Sequence, residues 1–272
     1  MRAVSPKRTI ECMPYLELPD HRLHYRIDAN DPVSPWLVFC NSLGTDLHMW
    51  DAQVAVLSRH FRILRYDRRG HGQSSAPPPP YSLADLGRDV IALLDALEIE
   101  RAHFCGLSIG GLTGQWLAIN AGQRLGKIIL CATAAKIGTA EGWATRMDDV
   151  RANGLEPLSV ATAERWFTPA FTACEPGTVR VVLENFAATS VDGYAGCCAA
   201  LAGADLREEI QHIANPLLVI SGDEDPVCPP SDLAHISATV QQGRQLSLHG
   251  RHIVNVEASQ AFNAALLEFL LG

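Results

Sequence analysis

No stretch of 18 consecutive apolar residues occurs in this chain, so no membrane-spanning helix is expected. The opening residues, Met1-Arg2-Ala3-Val4-Ser5-Pro6-Lys7-Arg8, carry charge with no apolar run behind it, and so do not read as a secretory signal. Positive charge is in short supply: Lys and Arg number 22 against 30 Asp and Glu, a net charge of −8. That balance argues against nucleic acid or an acidic membrane surface as a partner, although a small anion needs only a locally basic pocket. No CxxC pair is present among the eight cysteines, at 12, 40, 105, 131, 174, 197, 198 and 228. Neither a zinc site nor a thioredoxin-like redox pair is therefore indicated, and the cysteines give no reason to expect a metal. Cys40, Cys105 and Cys131 sit inside apolar runs and read as small buried hydrophobes. The expected setting is a reducing cytoplasm. Internal repeats and low-complexity tails are missing too, and nothing in the pattern sets an oligomeric state.

What is present is a chain of 272 residues, 47% hydrophobic, enough for one large domain or one domain with an insertion. Tyr15 to Leu18 and Leu23 to Ile27 flank the turn Pro19-Asp20-His21-Arg22 and read as a hairpin. Short apolar runs of buried-strand type follow: Trp36 to Cys40, Phe61 to Tyr66, His103 to Cys105, Lys127 to Cys131, Leu217 to Ile220 and Gln245 to Leu248. Helical patterns alternate with them. Ser82-Leu83-Ala84-Asp85 is a capping box, with Leu83, Leu86, Val90, Leu93, Leu94 and Leu97 behind it at helical spacing. Phe262, Leu266, Phe269 and Leu270 share one face of a terminal helix. The alternation implies an α/β fold with a mostly parallel sheet covered on both faces. Pro77-Pro78-Pro79-Pro80 reads as a stiff surface connector. From Ala135 to Glu209 no strand-like run stands out, and about 75 residues is too long for a loop. The expectation is a helical cap, or lid, over 135–209, broken at Pro157 and Pro176, inserted into a core formed by 1–134 and 210–272.

Gly106-Leu107-Ser108-Ile109-Gly110 fits G-x-S-x-G between an apolar run and a helix-compatible stretch, the setting of a nucleophile elbow. The sharp turn requires small neighbours, which Gly106 and Gly110 supply. It would expose the serine hydroxyl at a helix N-terminus, where a developing anion is favoured. A serine hydroxyl needs a base, and the base an orienting acid. Downstream, one strand runs into Ser221-Gly222-Asp223-Glu224-Asp225-Pro226 and the next into His249-Gly250-Arg251-His252. Both follow the elbow in the order Ser, acid, His. Asp225, in a loop long enough to reach the histidine, and His252, just before the terminal helical region, are preferred; Asp223 and His249 are the alternatives. His71, in Arg68-Arg69-Gly70-His71-Gly72, is better placed to shape a loop than to carry protons. An oxyanion hole needs two backbone donors. Ile109 N–H follows the nucleophile, and Leu43 N–H lies in the loop Asn41-Ser42-Leu43-Gly44 after an early strand.

With these pieces placed, the chain resembles the α/β-hydrolases over nearly its full length. It is more closely similar to the 3-oxoadipate enol-lactonases of the β-ketoadipate pathway of aromatic catabolism. The resembling stretches are Asn41 to Trp50, Arg65 to Gly72, Cys105 to Gly111 and, in the cap, Gly193-Tyr194-Ala195-Gly196-Cys197-Cys198-Ala199-Ala200-Leu201. The Asn-Ser opening of the oxyanion loop and the Cys-Cys run point to that group. The resemblance implies cofactor-free hydrolysis of 3-oxoadipate enol-lactone, a small anionic lactone, to 3-oxoadipate. Ser108 would be nucleophile, Asp225 orienting acid and His252 base. The chain departs from the pattern in two places: extra carboxylates in the acid loop, and Arg251 beside the base. The substrate carboxylate calls for a cation. Trp143 and Arg146, i and i+3 on a cap helix, are the candidates, with Arg68 and Arg69 as competitors. The alternatives are a broader carboxylesterase or another lactonase of the same fold, with a haloperoxidase-type side reaction compatible with the same triad. A non-catalytic receptor or scaffold is the reading from a different class. A serine at the elbow argues against a dehalogenase.

Overall fold

The computed structural model describes residues 15–272. The N-terminal stretch read above as lacking a signal, and Cys12, lie outside the described residues. β1 (Tyr15–Glu17) and β2 (Arg22–Asp28) form the expected hairpin, followed by β3 (Trp36–Cys40), α1 (Asp51–Leu57), β4 (Arg62–Tyr66), α2 (Leu83–Ala96), β5 (Ala102–Leu107), α3 (Ile109–Ala121) and β6 (Leu125–Cys131). Five helices come next: α4 (Ala140–Asn153), α5 (Ser159–Trp166), α6 (Pro169–Cys174), α7 (Pro176–Ala187) and α8 (Val191–Gly203). β7 (Leu217–Gly222), α9 (Pro230–Thr239), β8 (Gly243–Leu248), α10 (Val254–Glu257) and α11 (Ser259–Leu271) complete the chain.

The strands make one sheet in the order β1-β2-β4-β3-β5-β6-β7-β8. Pairing is antiparallel at β1/β2 and β2/β4, and parallel from β4 through to β8. This is the expected α/β architecture, with helices on both faces. Central strands covered on both sides read as unbroken apolar runs, and Leu37, Val38, Phe39 and Cys40 are all fully buried. α2 begins at Ser82 with the capping box the sequence implies, Ser82 and Asp85 exchanging side chain for backbone N–H.

The register does most of the work of assembling a site. Cys40 lies opposite Gly106, so the loop after β3 abuts the turn after β5. Gly222 lies opposite Leu248, so the loops after β7 and β8 leave the sheet side by side. The sheet order reverses at β3, and the crevice beyond the carboxyl ends of the strands at such a point is where doubly wound sheets bind ligands.

The five helices α4–α8 lie between β6 and β7, with α4 and α8 packed together along much of their length. Pro157 and Pro176 mark helix boundaries as expected, but the chain breaks twice more, at 167–168 and 188–190. There Thr168 and Ser190 cap α6 and α8 by accepting from Phe171 N–H and Gly193 N–H. A capped break carries no long loop, so the helical composition hides it. α8 meets the core through a backbone contact: a Cβ on Gly193 would lie 2.2 Å from the Gly70 carbonyl oxygen. Only a glycine pair allows that approach. Pro77 is buried rather than on the surface, under Tyr81, whose hydroxyl donates to the Pro77 carbonyl.

Candidate active site

Ser108 follows β5 and sits at the N-cap position of α3, its side chain making no capping bond, with φ 60° and ψ −120°, a positive-φ conformation for a residue with a Cβ. Such a residue stores about 1–3 kcal/mol unless its surroundings hold it. Here Ser108 N–H donates to Cys131 O at 2.9 Å, and Thr133 Oγ1 donates to Ser108 O at 2.7 Å. The flanking glycines have steric reasons to be there. A Cβ on Gly106 would lie 2.2 Å from Gly110 O, and one on Gly110 would lie 2.2 Å from Cys40 O. The second contact presses the elbow against the end of β3.

His252 Nδ1 lies 2.9 Å from Asp225 Oδ2, both residues buried. The other carboxylate oxygen, Oδ1, accepts from Val227 N–H at 2.8 Å and Cys228 N–H at 3.2 Å. Asp225 is thus fixed as an acceptor, the imidazole donates through Nδ1, and Nε2 is left as the basic nitrogen. The alternatives form a separate pair. His249 Nδ1 lies 3.3 Å from Asp223 Oδ2 in solvent, and Asp223 Oδ1 accepts from Gly250 N–H at 3.0 Å. His249 therefore pairs with an exposed side chain away from the buried pair, and Asp223 braces the neighbouring loop. Arg251 points away from the base: its Nη1 donates to the Glu164 and Phe167 carbonyls, tying the loop to the end of α5.

Ser108, His252, Ser42 and Leu43 line one cavity of about 250 Å³. Its far wall comes from the inserted helices: Trp143 and Arg146 from α4, Thr162, Arg165 and Trp166 from α5, Phe186 from α7 and Tyr194 from α8. No carboxylate lines it. Nη1 of Arg146 is buried with no hydrogen-bond partner among the described residues. Burial and the neighbouring Arg146 charge hold the Arg165 guanidinium below its usual pKa. Trp143 also donates from Nε1 to Ile137 O at 2.6 Å, fixing the turn into α4.

Leu43 N–H and Ile109 N–H, the expected oxyanion donors, bond no acceptor among the described residues. The loop holding Leu43 is clamped on every side. Asn41 Nδ2 donates to Tyr66 O, Trp50 Nε1 donates to Asn41 Oδ1, and Gly44 N–H donates to His71 Nε2 at 3.0 Å. Burial, with the Arg68 charge second, pushes the His71 pKa down to about 3, so the ring is neutral and accepts. That is the loop-shaping part expected of it.

The expectation for Arg68 and Arg69 requires correction. Arg68 and Arg69 do not compete for a ligand: Arg68 is spent on the carbonyls of Asn41 and Ser42, and Arg69 forks onto Asp89 at 2.6 and 2.7 Å. Arg165 was missed. Its signal was the one that selected Trp143 and Arg146, since Thr162 and Arg165 are likewise i and i+3 on one helix and line the same cavity.

A family model described as the alpha/beta hydrolase fold matches residues 35–259. Two curated proteins of Acinetobacter baylyi are similar: 3-oxoadipate enol-lactonase 2 is 47% identical, over 85% of this chain and 87% of its own length, and 3-oxoadipate enol-lactonase 1 is 41% identical, over 87% and 89%. Among solved structures, the enol-lactonase from Burkholderia xenovorans superposes with a TM-score of 0.93 at 44% identity, covering 95% of this chain and 100% of that one.

Proposed function

Since the chain belongs to the α/β-hydrolase fold family and, within it, to the 3-oxoadipate enol-lactonases, we propose that it hydrolyses 3-oxoadipate enol-lactone to 3-oxoadipate by serine catalysis. The observation that carries this reading is the cavity. It joins a strained Ser108 and a carboxylate-oriented His252 to two arginines, with no carboxylate in the lining. A volume of about 250 Å³ suits a small ring better than a long-chain ester.

His252 Nε2 takes the Ser108 proton as Oγ attacks the lactone carbonyl. Leu43 N–H and Ile109 N–H hold the oxyanion, each such donor being worth roughly 10²–10³ in rate. The ring C–O bond breaks, His252 returns the proton to the departing enol oxygen, and the enol tautomerises to the ketone. Water then gives a proton to His252 and attacks the acyl-enzyme, and Ser108 leaves with that proton. Asp225 keeps the imidazole in the right tautomer and supports its charge. Arg146, with Trp143 beside it and Arg165 across the cavity, receives the substrate carboxylate. Residues 135–209 act as a lid over a core of 1–134 and 210–272. A place in the β-ketoadipate pathway and in the cytoplasm belongs to the same reading; the free cysteines of the described residues fit a reducing compartment. No helix among the described residues is long and apolar enough to cross a membrane.

The test is the decay of enol-lactone absorbance with purified protein, compared with p-nitrophenyl acetate. Turnover of the lactone at a much higher kcat/KM supports the reading. Activity on the simple ester alone would leave a serine esterase and remove the lactonase.

A further inference from the structure

We propose that Arg68 is a positioning residue of the oxyanion site, whose guanidinium fixes and polarises the Ser42–Leu43 peptide so that Leu43 N–H faces the reacting carbonyl. The inference rests on the serine-hydrolase reading above and deepens it.

Arg68 is 1% exposed, and it makes no ion pair among the described residues. Its neighbours in sequence behave differently: Arg65 pairs with Asp28 and Asp51, and Arg69 with Asp89. A buried cation without a carboxylate is expensive to keep. The groups that compensate it are backbone carbonyls. Nη2 donates to Asn41 O at 2.6 Å and Nη1 to Ser42 O at 3.3 Å, with Cys40 Sγ 3.5 Å from Nη2. Nε is buried with no partner. The hydrogen bonds of this charge therefore converge on the start of the loop that carries Leu43.

The consequence follows from peptide geometry. The Ser42–Leu43 bond is trans, so its C=O and N–H point in opposite directions. Donors that hold Ser42 O on the protein side turn Leu43 N–H to the other side, and Ser42 and Leu43 both line the cavity with Ser108. Two donors hold that oxygen, since Thr45 Oγ1 also donates to it at 3.0 Å. Hydrogen bonds in series polarise one another, and the effect is larger away from water. A cation on the carbonyl thus makes the N–H at the far end of the same peptide a better partner for negative charge. The next N–H, of Gly44, is occupied by His71 Nε2, so the loop cannot slide to offer a substitute without losing that bond. A reversed peptide would present a carbonyl oxygen to the oxyanion and strip two donors from a buried acceptor. Arg68 makes the productive orientation the only satisfied one.

This account separates transition state from ground state, because the oxyanion exists only after attack. The experiment measures kcat and KM on p-nitrophenyl acetate, together with inhibition by phenylboronic acid, whose serine adduct is tetrahedral and anionic. Wild type is compared with Arg68→Met, Arg68→Lys, Thr45→Val and Ser108→Ala. Arg68→Met should lower kcat roughly 10- to 100-fold, the range up to loss of one oxyanion donor, with KM changed less than about 3-fold. Boronate affinity should fall by the same factor as kcat/KM. Arg68→Lys should recover part of both, and Thr45→Val should lose roughly 3- to 10-fold in the same direction. Wild-type kcat and boronate affinity in folded Arg68→Met overturn the proposal, as does a loss confined to KM. If Arg68→Met does not fold, unchanged kcat and boronate affinity in both Arg68→Lys and Thr45→Val overturn it instead. Undiminished ester hydrolysis by Ser108→Ala removes the serine reading itself, an outcome distinct from the others.

Discussion

Replacing Arg146 by Met tests whether the cavity is built for an anion. Arg146 Nη1 is buried without a partner, and Arg165 shares the cavity with no carboxylate between them. A hydrogen bond to a charged group contributes about 1.5–3 kcal/mol, and about 1.4 kcal/mol is tenfold in an equilibrium or rate constant. Arg146→Met should therefore lower kcat/KM on the enol-lactone about 10- to 100-fold. Most of the loss should sit in KM, since the carboxylate lies away from the bonds being made and broken. The first arginine removed should matter less than the second. In the free protein burial and, second, repulsion from Arg146 lower the Arg165 pKa, and deleting either arginine relieves the repulsion. The Arg146→Met, Arg165→Met double variant should thus lose more than the product of the single losses, a coupling that a double-mutant cycle reads directly. p-Nitrophenyl acetate has no carboxylate and should be hydrolysed by all three variants within about 3-fold of wild type. Thermal stability of Arg146→Met should be unchanged or higher, because an unpartnered buried polar atom disappears. Equal losses on both substrates would refute the reasoning, as they would assign Arg146 to holding the lid rather than binding the anion.

His252→Ala should abolish turnover of both substrates while His249→Ala, in the exposed pair with Asp223, stays near wild type in the same assay; loss at 249 alone would exchange the two. His71 has a folded pKa lowered from 6.5 to about 3, so below pH 6.5 the unfolded chain takes a proton the native ring refuses. Stability should fall with pH by up to about 1.4 kcal/mol per unit between roughly pH 6 and 4. Urea unfolding of His71→Gln, which keeps an acceptor for Gly44 N–H, should lack that part of the slope. Gly193→Ala places a methyl 2.2 Å from Gly70 O and should destabilise by at least about 1–3 kcal/mol, read as a Tm lower by about 2–4 °C per kcal/mol.

Much of this was legible in the chain because it rests on local chemistry. Buried strands announce themselves as apolar runs, Ser82 and Asp85 cap a helix within four positions, and the elbow needs its two glycines next to the serine. Each strand end was within a few residues of its place; β7 and β5 run two residues past the apolar stretch because Gly222 and Gly106 pair without contributing apolar surface. Choosing between Asp223 and Asp225 depended on which side of a loop turns inward, and only the strand register decides that. The pairs Asp225–His252 and Asp223–His249 span 27 and 26 residues, a difference with no trace in composition. Arg165 carries the same i, i+3 signal as Arg146, paired with Thr162, but α5 is short and polar, and only the packing of the cap shows that this face lines the cavity rather than solvent. Arg68 was visible as a cation but not as one whose partners are carbonyls, because carbonyls carry no sequence signal.

The central claim, that Ser108 opens an anionic enol-lactone through an acyl-enzyme, is tested most directly by following enol-lactone absorbance with wild type and Ser108→Ala side by side. Rapid decay with wild type, and a rate lower by on the order of 10⁶ or down to the uncatalysed background with Ser108→Ala, is the predicted result. Comparable decay with both proteins would contradict it.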